Sequence, residues 1–152
     1  GMPLRRWRST PNLANNFQSA LESYYNAMEG LALQLLELFA LALGQPVDYF
    51  EDKMDHHLSA LRLIHYYPLT LPDDHESKRI VRAGAHTDYG ALTILNAAQP
   101  GLQVLRYDHG NRSQTEWYSV PVIPGALVIN LGDLMQRWTN GMFLVLKLLG
   151  LF

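Results

Sequence analysis

This sequence predicts a mainly β domain with an N-terminal helical layer, and three observations predict it. Apolar residues recur at three- and four-residue steps through 13–43, then stop at Gly44 and Pro46. A series of short apolar and β-branched runs follows, separated by turn chemistry. No long helical pattern interleaves with those runs, so a sandwich or barrel is expected rather than a parallel βαβ sheet.

The expected helix over 13–43 places Phe17, Leu21, Tyr24, Met28, Leu31, Leu35, Leu38 and Ala42 on one face. Asn15 or Asn16 is the expected cap, and Gly44 followed by Pro46 the stop. Gly30, inside it, costs roughly 1 kcal/mol relative to Ala and marks a place for a kink. Residues 46–53 read as a short helical turn. Residues 58–67 are β-rich and end at Pro68, and 69–77 form a loop with Pro and Asp. Strands are expected over 80–85, 91–96, 102–107, 117–123 and 126–130. Gln99-Pro100-Gly101, Asp108-His109-Gly110-Asn111 and Pro124-Gly125 are the turns between them. Residues 132–138 fit one or two helical turns, with Thr139-Asn140-Gly141 a turn after them. Residues 142–152 are almost entirely apolar, carry one charge at Lys147 and show no alternation. A buried helix, a core strand and a non-native terminus are all compatible with that tail. The organisation is thus a helical segment over 1–57, a partial β core over 58–141 and an atypical tail over 142–152.

The chain has 152 residues, enough for one domain, and 48% of them are hydrophobic, enough for a sizeable core. A formal charge of −2 argues against a nucleic-acid partner, which leaves a basic stripe. Arg5, Arg6 and Arg8 around Trp7 read as a solvated terminal segment. With no Cys, disulfides, thiolate metal sites and a Cys nucleophile are excluded. The start lacks the zones of a signal peptide, and the longest apolar stretch, 31–43, contains Gln34 and Glu37 and is too short to span a bilayer. A cytoplasmic protein without a membrane partner is expected.

The chemistry concentrates at His86-Thr87-Asp88. A His and an Asp two apart on a strand share a face, with roots roughly 6–7 Å apart. Both can then reach one metal ion through bonds of about 2 Å. They would supply two-thirds of the 2-His-1-carboxylate set that holds non-haem Fe(II) with open positions. Alone the pair is a weak signal, since a His bonded to a neighbouring Asp in a turn has the same spacing. The small-residue approach Ala83-Gly84-Ala85 leaves room for a ligand.

The run Arg82-Ala83-Gly84-Ala85-His86-Thr87-Asp88-Tyr89-Gly90-Ala91-Leu92-Thr93-Ile94-Leu95 resembles the iron-binding strand of the 2-oxoglutarate/Fe(II)-dependent dioxygenases, and more narrowly their isopenicillin N synthase-like branch. Leu61-Arg62-Leu63-Ile64-His65-Tyr66-Tyr67-Pro68 is similar to the strand ahead of the iron site, and Pro100-Gly101-Leu102-Gln103-Val104 to the hairpin after it. Residues 117–120 and Pro124-Gly125-Ala126-Leu127-Val128-Ile129-Asn130-Leu131-Gly132-Asp133 resemble the later core strands. The resemblance implies a double-stranded β-helix (jelly-roll), incomplete at both ends, with His86 and Asp88 as ligands of Fe(II). It implies that Tyr67 touches the carboxylate of 2-oxoglutarate; a core aromatic with a satisfied hydroxyl is the alternative. His65, on the same side of its strand, reads as a core residue, and His56 and His57 as surface residues. Asn130 and Asp133 read as setting a strand end and a helix cap. The implied reaction oxidises a small organic substrate with O2 while 2-oxoglutarate is decarboxylated to succinate.

The chain departs from the pattern in two respects that bear on the chemistry. Relatives place a distal His about seven residues after the Gly of the Asn-Gly turn, and here that position is Leu148. No His follows His109, and the Arg-x-Ser pair that anchors 2-oxoglutarate in relatives falls beyond Phe152. Relatives also carry a longer stretch ahead of the helix. A truncated chain with impaired activity, exposing sheet edges that favour self-association, is therefore expected. A non-catalytic remnant that binds a small molecule or partner is the alternative. A zinc-dependent hydrolase is disfavoured, because no HxxEH, HExxH or HxHxD run accompanies the pair.

Overall fold

The computed structural model describes residues 11–67, 81–107 and 115–151. The Arg5, Arg6 and Arg8 cluster, the 69–77 loop and the turn around His109 lie outside them. The chain divides into two compact units, residues 1–62 and 63–152.

In the first unit a helix, α1, spans Pro11–Ala42. It ends in a Schellman motif: Gly44 N–H donates to Leu41 O at 2.9 Å and Gln45 N–H to Ala40 O at 2.9 Å. Gly44 adopts φ +68°, a conformation that costs a residue with a Cβ. The covered stripe follows the expected positions from Leu21 to Leu35, then moves to Leu36, Phe39 and Ala40, leaving Leu38 and Ala42 exposed. A straight helix drifts about 20° per heptad against a 3.5-residue step, which explains the slip. A 3-10 turn at Glu51–Lys53 follows, with Phe50 buried ahead of it. The chain beyond it is tied back to α1 where Glu29 meets His57 at 2.9 Å and Tyr25 Oη donates to Ser59 O.

Residues 58–67 form no ladder among the described residues, a correction to the strand expected there. Side chains supply their polar partners instead: Tyr25 reaches Ser59 O, and Arg82 donates to Tyr67 O at 2.8 Å.

Among the described residues of the second unit, six strands, β1 Ala83–His86, β2 Leu92–Leu95, β3 Leu102–Tyr107, β4 Thr115–Ser119, β5 Val128–Leu131 and β6 Leu148–Gly150, form two antiparallel sheets. The first has the order β1-β6-β3-β4 and the second pairs β2 with β5. The chain thus leaves the first sheet for β2, returns for β3 and β4, leaves again for β5 and returns for β6. That alternation between two sheets is what a double-stranded β-helix requires. The mainly β, jelly-roll expectation holds. β4 ends before Pro121 rather than running to 123, because a proline has no N–H to give a ladder.

After β5, a short helix α2 spans Asp133–Trp138 around fully buried Met135. Within the apolar tail, residues 148–150 form the strand β6, while Met142, Leu144 and Leu146 are exposed. β6 pairs Leu148 with Val104 on one side and with His86 on the other, and Leu105 N–H donates to Lys147 O at 2.9 Å. Among the described residues no helix is long and apolar enough to cross a membrane.

Candidate metal centre

His86 closes β1 and Asp88 lies two residues further on. A register shift between Ala83 and His86 marks a bulge, a device that re-aims a side chain. Within it, His86 Nδ1 lies 2.7 Å from Gly84 O. A carbonyl at that distance makes Nδ1 the N–H donor, so the neutral ring presents its lone pair at Nε2.

The carboxylate of Asp88 is held as firmly. Its Oδ2 accepts from Asn130 Nδ2 at 2.7 Å, and Asn130 on β5 is 9% exposed. Its Oδ1 is thereby turned toward His86 Nε2 at 3.7 Å. That separation is too long for a hydrogen bond. It suits a cation held to both atoms by bonds of about 2.1 Å.

The backbone around the pair is seated on the start of α2. Asp133 N–H donates to Asp88 O at 2.7 Å, Leu134 N–H to Gly90 O at 3.2 Å, and Thr87 Oγ1 to Asp133 Oδ2 at 3.1 Å. Asp133 therefore anchors Thr87, a correction to the cap expected of it; the cap residue is Gly132, with no side-chain bond. Gly132 allows this seat, since a Cβ there would lie 2.0 Å from Gly90 O.

Tyr67 is 74% exposed, which removes the core-aromatic alternative for it. Its ring packs edge-on against exposed His65 at 4.6 Å, so His65 is not a core residue either. Arg82, immediately ahead of β1, ties this segment to the strand through Tyr67 O and lies over the Tyr66 ring. His56 is a surface residue, whereas His57, expected at the surface, is largely covered and engaged by Glu29 and Ser59.

Two contributors to the site are hard to find from sequence. Asn130 interrupts the apolar run Leu127-Val128-Ile129-Asn130-Leu131, and a lone amide inside a strand signals a buried partner. Gly132 carries no sequence signal, because its role is to admit a backbone from elsewhere.

Opposite His86 in the ladder stands Leu148, 6% exposed. Among the described residues, no group of three or more His, Cys, Asp or Glu gathers around a common point.

Comparison with known proteins decides the family. The model of the 2OG-Fe(II) oxygenase superfamily matches residues 58–146, more than half of the chain. The chain belongs to that superfamily. Among curated oxygenase relatives, the 2-oxoglutarate-dependent dioxygenase caaD of Aspergillus niger is 35% identical over 127 residues, covering 84% of this chain and 37% of the relative. Gibberellin 3-beta-dioxygenase 2-3 of Triticum aestivum is 37% identical over 143 residues, covering 90% and 36%. The chain thus spans little more than a third of the length of these relatives. Among solved structures, the dioxygenase for auxin oxidation 1 of Arabidopsis thaliana, in its binary complex with 2-oxoglutarate, shares the fold with a TM-score of 0.60 at 25% identity, over 86% of this chain and 45% of that one.

The 2OG-Fe(II) oxygenases use Fe(II) and 2-oxoglutarate. Tested against that requirement, this chain provides His86 Nε2 and Asp88 Oδ1 as donors, but hydrocarbon at Leu148. The described residues fit two ligands of an Fe(II) ion and do not complete a three-ligand set.

Proposed function

We propose that this chain carries the iron-site core of an oxidoreductase that oxidises a small organic substrate with O2, coupled to conversion of 2-oxoglutarate to succinate. We propose further that the site is impaired as this sequence builds it. The carrying observation is the pair of acceptors, His86 Nε2 and Asp88 Oδ1, facing each other at 3.7 Å. Each is oriented by a bond through its other atom, the usual support of a metal ligand. Bound Fe(II) would supply the centre at which O2 is activated. The protein's own part is to fix these two donors, with Tyr67, exposed and tied to Arg82, free to meet the carboxylate of 2-oxoglutarate.

The Leu148 side chain favours a second reading, a non-catalytic domain that binds a small molecule at the same place. The net charge of −2 and the absence of cysteine support a cytoplasmic setting without nucleic acid. β1 and β4 in the first sheet, and both strands of the second, have one ladder each among the described residues, and these are the edges through which copies would associate.

Anaerobic addition of Fe(II) and 2-oxoglutarate tests the readings together. A metal-to-ligand charge-transfer band that His86→Ala removes, followed by succinate on admitting O2, supports the oxygenase. The same band without succinate supports the binding domain. No band with either protein overturns the assignment of His86 and Asp88 as iron ligands.

A further inference from the structure

We propose that Glu29, His57 and Ser59, all in the first unit, form a nucleophilic triad that takes acyl groups from small esters. It does not rest on the reading of His86 and Asp88 as metal ligands. Glu29 lies within α1, and His57 and Ser59 lie in the segment after the 3-10 turn. Glu29 Oε1 is 2.9 Å from His57 Nε2, and His57 Nδ1 is 2.8 Å from Ser59 Oγ. A carboxylate, an imidazole and a hydroxyl joined in that order are what activates a serine. Such a set is recognised by geometry and roles, not by chain order.

The partners of the ring decide where its proton sits. A carboxylate only accepts, so Glu29 places the ring N–H at Nε2. Ser59 N–H donates to Nδ1 at 3.4 Å, which marks that atom as the lone-pair side. The Ser59 hydroxyl therefore donates to Nδ1, and His57 is set to act as its general base. The His57 side chain is only 22% exposed, whereas Ser59 is exposed and open to a substrate. Tyr25, one turn before Glu29 on α1, donates from Oη to Ser59 O at 3.4 Å and ties the serine backbone to the same helix.

The neighbours of Ser59 indicate the substrate class. Leu58, 95% exposed, and Leu61, also exposed, offer apolar surface on both sides of the serine. Ala60 is exposed and in no ladder, which leaves its N–H for the oxygen that gains charge during attack. Esters of a short acid with an apolar alcohol fit these surroundings. In the step, Ser59 Oγ bonds to the ester carbonyl carbon and its proton passes to His57 Nδ1. The carbon–oxygen bond to the alcohol then breaks, and the alcohol leaves with that proton. Water repeats the sequence at the acyl-serine and releases the acid. Glu29 touches no reacting atom and is a positioning residue.

4-Nitrophenyl acetate, added in the presence of EDTA so that no metal-bound water contributes, is the probe. A burst of nitrophenolate is expected, with one acetyl group located on Ser59 by peptide mass spectrometry. Hydroxylamine should remove it, as it removes an ester but not an acetyl-lysine. Ser59→Ala should lose the burst. His57→Ala should slow acetylation of Ser59 about 100-fold or more. Glu29→Gln should slow it about 10-fold or more at unchanged KM, since a positioning residue changes the rate and not the binding. Acetyl groups confined to lysine and histidine side chains would overturn the proposal. So would acetylation of Ser59 at an undiminished rate in His57→Ala, leaving these contacts as a structural tie between the segment and α1. Circular dichroism checks that His57→Ala is folded. If it is not, Glu29→Gln, which keeps an acceptor for Nε2, decides by the same comparison.

Discussion

On the β1 side of the candidate centre, each donor atom has a partner that aims it. Gly84 O accepts a hydrogen bond from His86 Nδ1, and Asn130 donates to the second oxygen of Asp88. On the β6 side the backbone is also anchored, with ladders to both neighbours, but the side chain at the matching place is leucine. Ladder and ligand are therefore separable. Strand pairing asks of residue 148 only that it be apolar and well packed, and Leu148 meets that demand at 6% exposure. A fold can therefore persist at a site whose donor set is incomplete.

The sharpest way to break the comparison is to remove chemistry from the side that has it. His86→Ala is expected to abolish every Co(II)- or Fe(II)-dependent signal, leaving one carboxylate that cannot hold the ion alone. Because His86 is half exposed, thermal unfolding should shift by less than a core substitution would cause. Retained metal binding would show that the ligands lie elsewhere.

Gly132→Ala attacks the seat beneath the pair rather than the pair itself. Its Cβ would meet the Gly90 and Asp88 carbonyl oxygens at 2.0 and 2.8 Å, and these are backbone atoms that cannot rotate aside. A loss of about 3 kcal/mol in denaturant unfolding is expected, at the upper end of overpacking. A midpoint equal to that of the unsubstituted chain would mean that the His86–Gly90 turn is not seated on α2 as described.

Asn130→Ala leaves both donors in place and removes the aim of one. Metal affinity is expected to fall about 10- to 100-fold, the usual effect of losing a partner behind a ligand. Asn130→Asp, which sets a second carboxylate against Asp88, should not restore it. An unchanged affinity in titration calorimetry would make Asn130 a structural residue only.

How far the sequence reveals these features depends on whether the determining contact is local. The end of α1 at Gly44, the Pro124-Gly125 turn, with its Ala126 N–H to Ile123 O bond of 3.0 Å, and β3 over 102–107 were legible. Each is decided by residues adjacent in sequence. The region 58–67 was not, because β propensity does not supply a ladder partner. Nor was β6, whose identity as a strand comes from the two strands that flank it. At the site, the His86-Thr87-Asp88 spacing could be read directly. The bond from Asn130 to Asp88 spans 42 residues and the close approach of Gly132 to Gly90 depends on tertiary contact, so the amide signals a buried partner without naming it and the glycine signals nothing.

The mildest test acts on the β6 side, through Thr139. Its hydroxyl donates to Met135 O at 2.9 Å and accepts from Phe143 N–H at 3.2 Å, joining the end of α2 to the segment that leads into β6. Gln136 assists from the same helix, its Oε1 accepting from Val145 N–H at 2.8 Å. Thr139→Val keeps the shape and removes the hydroxyl's bonds at a buried position, a change expected to cost about 1–2 kcal/mol. The consequence should be one-sided. Amide exchange should accelerate through 143–150, while the Asn130–Asp88 clamp on β5 is untouched and Co(II) binding by His86 and Asp88 stays near its original strength. If Co(II) binding instead falls as far as it does in Asn130→Ala, then the two sides of the centre are mechanically coupled through the β1–β6 ladder, and Leu148 cannot be treated as a passive occupant of its place.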